Sequence, residues 1–82
     1  MAIKQIETAL PGLVFHRPSP DVEPFKASGD AVNVGDTLAL VEVMKSYIPI
    51  EAEVAGTFKG YSAPDGESIE PGDVLCEIEV SE

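Results

Sequence analysis

The chain repeats itself, and no other feature constrains its fold as tightly. The stretch Ala31-Val32-Asn33-Val34-Gly35-Asp36-Thr37-Leu38-Ala39-Leu40-Val41-Glu42-Val43 aligns with Ser68-Ile69-Glu70-Pro71-Gly72-Asp73-Val74-Leu75-Cys76-Glu77-Ile78-Glu79-Val80 at an offset of 37. Upstream, Pro11-Gly12-Leu13-Val14-Phe15 pairs with Ala55-Gly56-Thr57-Phe58 at an offset of 44. Two copies are too few for a solenoid, so the repeat predicts two interlocked halves of one body related by a pseudo-twofold axis. The offsets differ by seven residues, which the first half must carry as an insertion. The only irregular, proline-rich texture available for it is Arg17-Pro18-Ser19-Pro20-Asp21-Val22-Glu23-Pro24-Phe25.

Seven prolines and seven glycines are scattered through 82 residues, and no apolar pattern of helical period persists. Short alternating runs between turn residues predict strands at Ile3–Glu7, Leu13–His16, Thr37–Val43, Ser46–Glu53, Gly56–Tyr61 and Val74–Val80. Shorter ladders are predicted at Ala31–Asn33 and Ser68–Ile69. The expected fold is all-β: a flattened barrel or sandwich of two pseudo-twofold-related four-stranded halves, one domain over residues 1–82. Ala39, Val41, Val43, Cys76, Ile78 and Val80 should face one shared core, with Glu42, Glu77 and Glu79 turned to water. Cys76 reads as a small core hydrophobe, since no cationic neighbour is evident to lower its pKa.

A chain this short has little room for an enzyme cleft beside its core. Fifteen acidic against five basic residues give a net charge of -10, which disfavours nucleic acid and anionic membrane surfaces. A mean hydropathy of +0.08 argues for a fold rather than acidic disorder. One cysteine supports neither an internal disulfide nor a cysteine-rich metal site, and no metal site is expected. There is no apolar run of membrane-spanning length, so the default localisation is cytoplasmic.

The copies differ where function is most readily hidden. After Val80 the second copy stops, whereas after Val43 the first passes through Met44-Lys45 into a strand at Ser46. A two-residue connection of antiparallel strands needs positive φ, for which Asn-Gly is the relaxed choice; Met-Lys is a poor one. Strain tolerated at a turn is a motive for suspecting function. By composition and spacing alone, Lys45 reads equally as a solubilising turn lysine and as a covalent attachment point on a rigid hairpin. Lys4, Lys26 and Lys59 read as residues of solvated faces or loops, and His16 as a surface residue ending a strand.

Glu42-Val43-Met44-Lys45-Ser46 resembles the attachment sequence of biotinyl domains, usually Glu-Ala-Met-Lys-Met. The similarity covers residues 10 to 80. Residues 17–25 resemble the protruding thumb of the biotin carboxyl carriers of acetyl-CoA carboxylase, and Val32-Asn33-Val34-Gly35-Asp36-Thr37-Leu38 continues the likeness. The resemblance implies the biotinyl/lipoyl fold, a barrel-sandwich hybrid, with biotin joined to Lys45 by a biotin protein ligase. It implies a non-catalytic carrier in fatty acid biosynthesis, visiting a biotin carboxylase and then a carboxyltransferase that serves acetyl-CoA or another acyl-CoA. Met44 would help to present the lysine, and Glu42 lies at the glutamate preceding the hairpin, although Glu79 stands in the same place of the other copy. Thumb residues including Pro18, Ser19 and Pro20 would restrain the biotin ring.

Three positions depart from that pattern: Val43 for alanine, Ser46 for the second methionine, and Arg17 where a small or hydroxyl residue is usual. Ser46 leans toward lipoyl domains, whereas Met44 stands where those carry aspartate. A lipoyl-type carrier and an unmodified interaction module are the alternatives. A free-standing carrier and one domain of a longer carrier would look alike here.

Overall fold

The computed structural model describes residues 2–19 and 21–80. Eight strands follow one another: β1 (Ala2–Glu7), β2 (Gly12–Phe15), β3 (Ala31–Val32), β4 (Thr37–Val43), β5 (Ser46–Glu51), β6 (Gly56–Tyr61), β7 (Ser68–Ile69) and β8 (Val74–Val80). They form two antiparallel sheets, β1-β8-β6-β3 and β5-β4-β2-β7. Each sheet takes two strands from each half of the chain, so neither half is a layer by itself. The body measures 38 × 28 × 20 Å, a flattened sandwich as expected. No helix among the described residues is long and apolar enough to cross a membrane.

The twofold relation reaches single hydrogen bonds. At each Gly-Asp turn the aspartate carboxylate accepts the amide three residues before it: Asp36 from Asn33 at 2.8 Å, Asp73 from Glu70 at 2.9 Å. Gly35 and Gly72 hold φ near +93° and +95°, which a residue with a Cβ adopts only at a cost. Their amides donate to the carbonyls of Ala52 and Thr8, at 2.9 and 2.8 Å. The Gly-Asp pair recurs because the turn needs a left-handed residue followed by a short carboxylate acceptor.

The packing is equally matched, and it departs from the expected single core. One cluster holds Val32, Leu38, Phe58, Cys76 and Ile78, with Ile6 and Ala52; the other holds Val14, Ala39, Val41, Ile69 and Leu75. Half-buried Ile50 and Tyr61 pack against both. Leu38 and Ala39 are neighbours in one strand yet lie in different clusters, because the β4–β5 ladder slips between Thr37 and Ala39. Leu75 and Cys76 divide likewise beside the slip between Ile6 and Glu7 in β1–β8. Val43 and Val80 are only half-buried at the strand ends, and Glu42, Glu77 and Glu79 are half-buried rather than fully solvated. β2 lies one residue earlier than expected, the His16 amide leaving the ladder to bond Asp65. Two strands are shorter than expected: β3 stops at Val32, the Asn33 amide turning to the Asp36 carboxylate, and β5 ends at Glu51, where the Ala52 amide turns to the Asp36 carbonyl.

Candidate functional site

The β4–β5 connection is the two-residue hairpin that the sequence predicts, closed by Val43 opposite Ser46. Met44 and Lys45 have φ of 50° and 70°, the only non-glycine residues described with positive φ. Two successive left-handed residues make the hairpin tight and of the primed type, whose twist matches the strands it joins. Met44 is 93% exposed, and the Lys45 side chain makes no hydrogen bond or ion pair to the described residues. By contrast Lys26, on a loop as one expected reading had it, is tied to Asp36 at 3.0 Å and to the Ala31 carbonyl at 2.9 Å, so it is a structural clamp rather than a free surface amine. With the Asn33 amide, it holds the Asp36 carboxyl below the usual carboxylate range. Lys59 stands 3.7 Å from Glu79.

Symmetry also supplies a control for the sheet surface beside the hairpin. On β2, β4 and β5 the outward residues include Leu13, Phe15, Leu40, Tyr47 and Pro49. Their counterparts on the other sheet are Thr57, the Lys59-Gly60 bulge, Glu77, Ile3 and Gln5. There the surface is polar apart from Ile3, with Gln5 donating to Glu77 at 3.4 Å beside the Lys59–Glu79 pair. The fold therefore does not require a continuous apolar outer face; of the two sheets, the one bearing the hairpin has it.

The inserted segment roofs that face. It leaves β2 at His16 and returns at Phe25, whose amide donates to the His16 carbonyl at 2.8 Å. A turn carries its tip, the Val22 amide reaching the Ser19 carbonyl at 3.2 Å, and Arg17 Nη1 donates to the Val22 carbonyl at 3.3 Å. Beneath it lies a cleft of about 280 Å³ bounded by Phe15, Arg17, Pro18, Ser19, Leu40, Tyr47 and Asp65. Phe15 and Tyr47 place their rings 6.2 Å apart, so one wall of the cleft stands two residues past Lys45. The structure thus brings Pro18 and Ser19 to the cleft and Met44 and Lys45 to the adjacent hairpin. Glu42 stands half-buried on β4, and Pro20 lies outside the described residues.

Sequence reasoning passed over Phe15, Leu40 and Asp65, and it placed His16 on the surface. His16 is half-buried, stacked on Tyr61 with centroids 3.6 Å apart and planes 7° from parallel. Comparing the copies for polarity, Leu40 against Glu77 and Leu13 against Thr57, could have found the apolar face. Nothing in the sequence pairs His16 with Tyr61 across 45 residues. Burial pushes the Tyr61 phenol up to about 12, and its hydroxyl donates to the Leu38 carbonyl at 2.7 Å. Cys76 is fully buried, and desolvation followed by the nearby Glu77 charge pushes its thiol up to about 12, which fits a core residue and not a nucleophile.

Together these features place three things side by side: a rigid sandwich, an exposed lysine on a left-handed hairpin, and a sheltered apolar cleft beside it. The family model described as "Biotin-requiring enzyme" matches residues 4–78, and the chain belongs to that family. It is 36% identical over 74 residues to the biotin carboxyl carrier protein of acetyl-CoA carboxylase from Haemophilus influenzae, an alignment covering 90% of this chain and 48% of that protein. The carrier of the same name from Pyropia yezoensis is 31% identical over 74 residues, 90% of this chain and 47% of its own. Pyruvate carboxylase of Bacillus subtilis is 35% identical over 74 residues, again 90% of this chain but only 6% of that enzyme. The chain spans about half the length of the carrier proteins it matches.

Biotin fits the cleft by chemistry. Its bicyclic ring is apolar on its sulfur side and polar along its ureido edge; the lining divides into Phe15, Pro18, Leu40 and Tyr47 against Arg17, Ser19 and Asp65. Arg17 Nε is buried without an acceptor, the one such side-chain atom among the described residues, and a ureido oxygen is an acceptor.

Proposed function

We propose that this protein is a biotin carboxyl carrier, with biotin held as an amide on Lys45 Nζ. It presents that group to a biotin carboxylase and then to a carboxyltransferase, in an acetyl-CoA carboxylase or a related acyl-CoA carboxylase. The observation that carries the reading is the meeting of a strained, exposed lysine hairpin and a one-sided apolar cleft on an otherwise symmetric body. The likeness to acetyl-CoA carboxylase carriers supports the choice of acceptor class.

The bound biotin supplies a ureido nitrogen that accepts and releases a carboxyl group; the domain itself catalyses neither transfer. Its residues bind, orient and exclude water. Met44 and Lys45 hold the attachment point clear of both sheets, where a biotin protein ligase reaches the amine. Phe15, Leu40, Pro18 and Tyr47 shelter the ring from water between visits, and the rigid body raises the effective concentration of the tethered group at each partner. Its setting is read as cytoplasmic.

Intact-mass measurement after co-expression with a biotin protein ligase tests the reading. One biotin increment is expected, and Lys45→Arg abolishes it. Absence of biotin under conditions that modify a control carrier overturns the proposal. A lipoyl increment, the outcome toward which Ser46 leans, selects the lipoyl-type alternative.

A further inference from the structure

We infer that Asp65 is the positioning residue that holds the thumb over the cleft, so that a loop of the second half fixes the segment inserted in the first. This rests on the reading that Lys45 carries biotin and that the cleft receives its ring.

The thumb departs from the body at His16, and His16 is held on several sides. Its amide donates to Asp65 Oδ1 at 2.7 Å, and its imidazole stacks on Tyr61 and bonds the Ala63 carbonyl through Nε2 at 2.6 Å. Its carbonyl accepts the Phe25 amide, with the Tyr61 hydroxyl 3.4 Å away. Apart from Phe25, every partner lies between residues 61 and 65. That platform is itself fixed: Ser62 and Gly66 donate to the carbonyls of Leu75 and Val14, at 2.8 and 2.6 Å, and the Tyr61 ring meets Phe58 edge-on at 4.8 Å. Asp65 alone combines a charged bond to the peptide where the thumb begins with a place in the wall of the cleft.

The symmetric loop shows that the fold does not demand an aspartate here. At the repeat offset Asp65 corresponds to Ser28, whose hydroxyl donates to the Lys59 carbonyl at 2.9 Å. The two loops otherwise close with the same bonds. Gly29 donates to Phe58 as Gly66 does to Val14, and Phe58 donates to Asp30 as Val14 does to Glu67. A neutral donor suffices where there is no thumb. Where there is one, the side chain is an acceptor, turned onto the amide of His16. Releasing that amide would let Arg17, Pro18 and Ser19 swing away from Phe15, Leu40 and Tyr47 and open the cleft.

The test uses biotinylated protein and the variants Asp65→Ser, which copies the thumbless loop, and Asp65→Asn, whose amide oxygen still accepts the His16 N–H. Two readouts are taken: hydrogen exchange at the Phe25 amide and the rate at which streptavidin captures the tethered biotin. Losing a bond to a charged group predicts a rise of roughly tenfold or more in Phe25 exchange for Asp65→Ser, with faster capture. Asp65→Asn stays close to the parent protein. Val32→Ala, a buried core change on β3 whose ladder partner is Gly56, leaves both readouts unmoved. Parent-like exchange and capture in Asp65→Ser overturn the inference, as does an equal rise in Val32→Ala. Intact mass is read first: without a biotin increment the carrier reading fails, and Phe25 exchange in the unmodified protein decides the role of Asp65 alone.

Discussion

Replacing Met44 by glycine is expected to make the protein more stable, because the hairpin is built against local preference. Met44 sits at φ 50°, where an L-residue's Cβ crowds the following carbonyl at a cost of roughly 1–2 kcal/mol. Glycine removes that cost but gives the unfolded chain more freedom, which offsets roughly 0.4–1 kcal/mol. Little else changes hands: Met44 is 93% exposed, so truncating its side chain forfeits almost no burial. Taking the middle of each range, the net gain is about 0.8 kcal/mol, and for a domain of this size each kcal/mol moves Tm by about 4–8 °C. Thermal unfolding of the unmodified protein, followed by circular dichroism, should therefore show Tm raised by about 3–6 °C. Met44→Asn, which tolerates the left-handed region, should move the same way. An unchanged or lower Tm for both variants would refute the claim that the turn stores strain.

Gly12→Ala and Gly56→Ala should each lower stability by roughly 1–3 kcal/mol or more in urea unfolding, and by similar amounts. The added Cβ runs into the carbonyl oxygen of Glu42 in one case and of Glu79 in the other, symmetry-related backbone that cannot step aside. Leu40→Gln should cost less than about 1 kcal/mol, since Glu77 occupies the equivalent place, yet it should hasten streptavidin capture of tethered biotin by wetting the cleft. Raising pH should destabilise the fold from about pH 9, because Cys76 and Tyr61 are held neutral up to about 12. In the unfolded chain both ionise sooner, so it holds fewer protons and stability falls as pH rises, fully present below the unfolded values and spent by about 12. Urea midpoints at pH 8 and 11 measure this, and Cys76→Ala should blunt the fall.

What the sequence makes legible is what repeats or what breaks a local rule. The strands are readable because alternation and Gly-Asp turns occur twice, each copy checking the other. The hairpin is readable because Met-Lys violates the preference for Asn-Gly, and φ of 50° and 70° at these residues shows the violation is kept. Physical reasons lie behind the failures as well. A one-residue slip at Thr37/Ala39 sends adjacent residues to different clusters, and strict alternation cannot anticipate a bulge. The loop position of Lys26 is legible, but its bond to Asp36 is not, because that partner is ten residues away. The stacking of His16 on Tyr61 depends on tertiary closure alone.

A pseudo-twofold body offers each functional residue a counterpart doing the same structural job without the function. Glu42 shows how such a comparison cuts: Glu79 occupies its equivalent, half-buried and paired with Lys59, so a carboxylate at this strand position occurs with no lysine hairpin beside it. Leu40 and Asp65 come out the other way. Their counterparts, Glu77 and Ser28, satisfy the same strand and the same loop with different chemistry, so packing alone leaves both residues unexplained. The differences cluster in space, at the hairpin, the cleft and the base of the thumb, although they are spread over some fifty positions of the chain. Their concentration on one face, with residues drawn from both halves of the chain, is what a symmetric body would need in order to hold a tethered group on one side.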